Sequence, residues 1–89
     1  MTMEVGGILW ELSRERRRQD EKWSVRDQHP MEWLSILGEE YGEACRAANE
    51  GHWENKGYAN YRKELIETAA VAIAAIECLD RGKWNKKEP

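Results

Sequence analysis

Glu64-Leu65-Ile66-Glu67-Thr68-Ala69-Ala70-Val71-Ala72-Ile73-Ala74-Ala75-Ile76 decides how this chain folds. Between Leu65 and Ile76 the only charged residue is Glu67, and Ala69 to Ile76 is apolar on every side. The stretch does not alternate as a half-buried strand would, so it reads as a helix surrounded by protein. That helix is expected from about Tyr58 to Arg81, with Gly82 ending it. The apolar run is far too short to cross a bilayer, which takes about 20 apolar residues.

Two more helices are expected upstream. One starts at Pro30, which suits a first helical position because its missing N–H is not needed there. It ends near Glu50 and Gly51, where glycine offers a left-handed cap. Its main apolar face reads as Leu34, Leu37, Tyr41, Ala44, Cys45 and Ala48, flanked by Trp33, Ile36 and Ala47. The first helix spans about Gly7 to Lys22, with Ile8, Leu9 and Leu12 as its stripe and Gln19 and Trp23 continuing it. Loops fall at 24–29 and 51–57, and the tail 83–89 is polar apart from Trp84. The fold class is all-α: one domain over residues 1–89, a bundle of three main helices. Three short helices hardly cover the Ala69–Ile76 run, so oligomerisation is expected to complete the core.

Composition excludes several classes. The formal net charge of -3 argues against general nucleic-acid binding, which needs a basic footprint. Arg14, Arg16, Arg17 and Arg18 cluster, but Glu11, Glu15, Asp20 and Glu21 are interleaved with them, as on a solvated helix face. Cys45 and Cys78 lie in helical patterns without a metal or redox motif and read as small buried residues. Val5 to Trp10 is briefly apolar, but it has neither the basic lead nor the cleavage site of a signal peptide. A cytoplasmic protein without a membrane span is expected.

The acidic residues carry the chemistry. At about 100° per residue, Glu40 and Glu43 fall beside Ile36 and Ala47, at the edge of the apolar face of the second helix. Glu64 and Glu67 share a face of the third helix with Val71, Ala74 and Cys78. A carboxylate near such a stripe costs several kcal/mol unless a cation or hydrogen bonds compensate it. If the two helices pack antiparallel, as their short connection favours, the pairs converge. Four carboxylates in one site need a cation, and oxygen-only ligands favour Mg²⁺, Mn²⁺ or Ca²⁺ over zinc. Magnesium, the usual partner of substrate phosphates, is the expected cofactor, with Mn²⁺ as the alternative. The bland reading is an ordinary solvated face, with Lys63 or Arg62 paired to Glu67 or Glu43.

At these residues the sequence resembles the MazG-like all-α nucleoside triphosphate pyrophosphohydrolases. Their pattern is Glu-Glu-x-x-Glu on one helix and Glu-x-x-Asp on a second. Here the first half stands as Glu39-Glu40-Tyr41-Gly42-Glu43 and the second as Glu64-Leu65-Ile66-Glu67. The stretches ERRRQDEKW (15–23) and HPMEWLSILGEEYGEA (29–44) also look like small, often phage-type, members. The resemblance covers Glu15 to Arg81 and departs from the pattern at Glu67, where the family usually has aspartate. It implies a helical bundle assembled as a homodimer or homotetramer. It also implies cleavage of a nucleoside triphosphate between the α and β phosphates, giving monophosphate and pyrophosphate. The metal ligands would be Glu40, Glu43, Glu64 and Glu67, and Glu39 would orient the attacking water or hold a second metal.

Basic side chains should meet the phosphates: Lys22 and Lys63, with Arg18 and Arg81 as further candidates. Trp23 can stack on a base, and Gln19, one turn earlier, can hydrogen-bond a base edge or ribose. Trp33, Trp10 and Trp84 read as packing residues, and His29 as a helix-entry residue. A competing expectation is a helical oligomerisation or regulatory module that binds nucleotide or metal without turnover.

Overall fold

The computed structural model describes residues 4–82 and Trp84. Three helices, α1 (Val5–Trp23), α2 (Pro30–Trp53) and α3 (Ala59–Asp80), account for nearly all of it, and no strand occurs among the described residues. Helix α3 packs against both others, while the α1 and α2 backbones do not approach each other. The helix that carries the apolar Ala69–Ile76 run is thus central, as that run requires.

The helices run up, down and up. Gly51 of α2 lies against Gly57 and Tyr58 just before α3, whereas Trp33 packs with Val71, Ala74 and Cys78 near the far end of α3. The two helices are therefore antiparallel. The ion pairs Glu11–Arg62 and Arg16–Glu77 climb α1 and α3 in the same sense.

Local chemistry sets the helix ends. The His29 Nδ1 accepts from the Met31 N–H at 3.1 Å, and the Glu32 carboxylate accepts from the His29 N–H at 2.9 Å. With Pro30 following, this is a reciprocal N-terminal cap. Gly82, at φ +86°, donates its N–H to the Leu79 carbonyl and stops α3. Gly51 does not act as a left-handed cap, because α2 continues to Trp53. Its glycine is required for another reason: a Cβ there would sit 2.5 Å from the Gly57 carbonyl oxygen. The chain instead reverses through Asn55 and Gly57, both at positive φ.

Arg81 holds the α1–α2 connection. Its guanidinium donates to the Asp27 carboxylate at 3.0 Å and to the Arg26 carbonyl at 2.8 Å. The buried Cys78 thiol lies 3.5 Å from the Gln28 carbonyl.

The buried core is thin: Trp33, Ala44, Ala47, Ala70, Val71, Ala74 and Cys78. It corrects the expected face of α2. Leu34, Tyr41 and Cys45 are exposed, and the side turned to α3 carries Trp33, Ala44 and Ala47, with Ile36 and Leu37 half-buried. The physical reason is fit: the Trp33 ring fills the space over the small side chains Val71, Ala74 and Cys78. That rotation carries Glu40 inward. Trp10 is also exposed, with the Arg14 guanidinium 4.8 Å over its ring. Among the described residues no helix is long and apolar enough to cross a membrane.

Candidate metal centre and adjoining groove

The face of α2 turned to α3 and the inner face of α3 bring three carboxylates together. One oxygen each from Glu40, Glu43 and Glu64 lies within 4.8 Å of the other two. Glu43 is exposed, Glu40 half-buried, and Glu64 buried at 9% exposure. A buried glutamate is rare without a partner. Yet the Oε2 atoms of both Glu40 and Glu64 are buried and accept no hydrogen bond.

The electrostatics match that geometry. Burial raises the Glu40 carboxyl above its ordinary value, and the charges of Glu43, Glu67 and Glu64 add to the shift. Glu64 is also raised, by burial first, then by the charges of Glu67 and Glu43 and by a hydrogen bond shared with Glu43, while Lys63 pulls the other way. Crowding and desolvation both disfavour the charged form of these two carboxyls, a penalty that a cation would relieve. The donor set is oxygen only, and two of its atoms are orphaned and buried. It therefore fits a hard divalent cation such as Mg²⁺ or Mn²⁺.

Glu67 is near but engaged elsewhere. Its charge acts on Glu40 and Glu64, but its own carboxylate pairs with Lys63 Nζ at 3.3 Å. Arg62 does not serve the acidic cluster; it grips Glu11 of α1 through two bonds of 2.8 and 2.6 Å. Glu39 is exposed on α2, outside the three-carboxylate cluster.

The expected substrate residues divide between two places. Lys22 and Lys63 line an open groove of about 610 Å³ between α1 and α3, with Arg18, Arg62, Glu15 and Glu67. Gln19 and Trp23 line a separate cavity of about 30 Å³ with Arg16, Val71 and Ala74. That cavity admits a water, not a base. Gln19 is buried within α1's own network, accepting from Arg16 at 3.1 Å and donating to Glu15 at 3.3 Å. Trp23 is 42% exposed, its ring flanked by Lys22 Nζ at 4.8 Å and the Arg26 guanidinium at 5.9 Å. Arg81 is committed to the 24–29 loop rather than to either place. Arg62 also lines the groove, though nothing in its sequence position marks it for that, since the position of α1 relative to α3 decides it.

Compared with known protein families, curated proteins and solved structures, this chain matches none.

Proposed function

We propose that this protein is a Mg²⁺-dependent nucleotide pyrophosphohydrolase that converts a nucleoside triphosphate to monophosphate and pyrophosphate. One observation carries the reading: the buried, unpartnered oxygens of Glu40 and Glu64 lie in one cluster with Glu43. The Glu-Glu-x-x-Glu and Glu-x-x-Glu pattern of Glu39 to Glu43 and Glu64 to Glu67 supports the assignment of the chemistry.

Glu40, Glu43 and Glu64 would hold the cation, and Glu67 could join them only by giving up its pair with Lys63. When bound, a divalent cation would supply neutralisation of phosphate charge and a more acidic water. Glu39, exposed on α2 next to Glu40 in the chain, would orient the attacking water or help to hold a second ion. Lys22 and Lys63 meet the phosphates. Water adds across the α–β anhydride: its oxygen bonds to phosphorus, the bridging oxygen departs on the other phosphate product, and the water's proton passes to solvent.

The working form is a homodimer or homotetramer. Support comes from the thin core and from Leu34, Tyr41, Ile76 and Leu79, which one chain leaves exposed. Light scattering on the purified protein should return a multiple of the 10.4 kDa chain mass.

The test replaces Glu40 and Glu64 together by glutamine. Mg²⁺-dependent release of pyrophosphate from a panel of nucleotides should disappear while the helical circular dichroism remains. Undiminished release would refute the assignment. Nucleotide or metal binding by the wild type without any release would instead establish the module that binds without turnover, a reading favoured by the engagement of Glu67 with Lys63.

A further inference from the structure

We infer that α1 is an exchangeable arm: in the oligomer it turns out about Ser24 and seats on the α3 helix of a second copy of this chain. The inference rests on the second copy proposed above, but not on the activity.

The connection from α1 to α2 has two fixed parts with a bend between them. Residues 26–28 are tied to the end of α3, through Arg81 to Asp27 and the Arg26 carbonyl, and through Cys78 to the Gln28 carbonyl. Ser24 is held by α1, its N–H donating to the Asp20 carbonyl at 2.8 Å. The bend falls on Ser24 itself, at φ 65° and ψ 167°. Only glycine takes that combination readily, so a serine there is strained. Strain in a short hinge favours a straightened connection, which carries the preceding helix onto another molecule.

The seat of α1 lets this happen at little loss. Its backbone approaches α3 and not α2. Gln19 is the one buried residue of α1, while Val5, Leu9, Trp10 and Trp23 are exposed. Beyond the half-buried Ile8 and Leu12, the attachment is polar: Glu11 pairs with Arg62 and Arg16 with Glu77, each pair having one exposed partner. Such pairs open readily. A second copy offers the same α3 surface, so each contact that α1 gives up is made again on the partner. The closed and exchanged forms then differ chiefly at the hinge, which exchange relaxes. Exchange also makes the groove a joint between two chains, with Arg18 and Lys22 from one and Lys63 and Glu67 from the other.

The first test uses the wild-type chain. Isotope-labelled and unlabelled proteins are unfolded, mixed, refolded together, treated with an amine-reactive cross-linker and read by mass spectrometry. Lys22 of α1 and Lys63 of α3 line the same groove, so a link between them reports whose α3 carries α1. Exchange should give Lys22–Lys63 links of unlike label, and links of like label alone overturn it. Ser24→Gly relieves the closed hinge and should lower the share of unlike-label links; an unchanged share overturns the role of Ser24. The second test mixes two variants. Glu11→Arg/Arg16→Glu sets like charges against Arg62 and Glu77 of its own chain, and Arg62→Glu/Glu77→Arg does the same from α3. Only exchange between the two restores opposite charges at every pair. Refolded together they should melt at least about 4 °C above either variant alone, and a mixture that melts no higher than its components overturns the exchange. Light scattering alongside separates the two readings: an oligomer with like-label links refutes the exchange alone, whereas a monomer refutes the oligomer as well.

Discussion

Replacing Glu64 by glutamine should make the metal-free protein more stable, the reverse of what removing a buried charged contact usually does. The carboxylate oxygens of Glu40, Glu43 and Glu64 lie within 4.8 Å of one another. At 4.8 Å each pair repels by about 0.9 kcal/mol in bulk water and about 3.5 kcal/mol at an effective dielectric of 20. Glu64→Gln removes two of the three repulsions together with the desolvation of the most buried charge. The glutamine amide must still be solvated or hydrogen-bonded, which offsets part of the gain. The net expectation is a stabilisation of about 1–3 kcal/mol without metal, where each kcal/mol raises Tm by roughly 4–8 °C for a chain of this size. Wild type should gain about 2.7 kcal/mol at a Mg²⁺ concentration near 100 times Kd, and the variant should gain little. The assay is thermal denaturation followed by circular dichroism, at neutral pH and one protein concentration, with and without Mg²⁺. A metal-free Glu64→Gln protein less stable than wild type, with a wild-type Tm indifferent to Mg²⁺ and Mn²⁺, would refute the reasoning.

The pH dependence follows from the same cluster. Glu40 and Glu64 have raised values in the fold, so the folded state holds their protons longer than the unfolded chain does. Their penalty is absent below the ordinary carboxylate value of 4.5, grows as pH rises through it, and is complete above the raised values. Glu11 and Glu15, held low by hydrogen bonds from Arg62 and Arg18, act in the opposite sense and lose their contribution as pH falls below 4.5. Urea titrations of wild type minus Glu40→Gln/Glu64→Gln across this range isolate the cluster, and the difference should grow more unfavourable to wild type as pH rises. Gly51→Ala should cost about 1–3 kcal/mol, because its Cβ meets the Gly57 carbonyl at 2.5 Å and the Tyr58 ring at 2.9 Å; urea denaturation checks it. Trp33→Ala empties the centre of the core and should cost about 3–5 kcal/mol in the same assay. His29→Ala removes the reciprocal cap of α2 and should cost about 1 kcal/mol.

The sequence by itself determined the three helices and the centrality of α3. An alanine-rich run with Glu67 as its only charge has no stable exposed position, so the other helices had to pack around it. Pro30 and Gly82 mark helix limits because proline and glycine act through the backbone itself, which no tertiary contact has to supply. The convergence of Glu40, Glu43 and Glu64 was legible from helical arcs and one short connection. Only the tertiary structure decided how α2 is rotated. Periodicity favoured Leu34 and Tyr41 as the inner face, but a large Trp33 ring over small α3 residues fits better, and arc counting carries no information on shape complementarity. The Lys63–Glu67 pair, four residues apart on α3, stood in the sequence beside the four-ligand expectation, and the structure forms it. The groove too depended on the tertiary structure, since its cations come from α1 and α3, which lie far apart in sequence. Glu64 and Glu67, in the stretch that decides the fold, therefore part company: one is buried in the cluster, the other stands at its border with the cations.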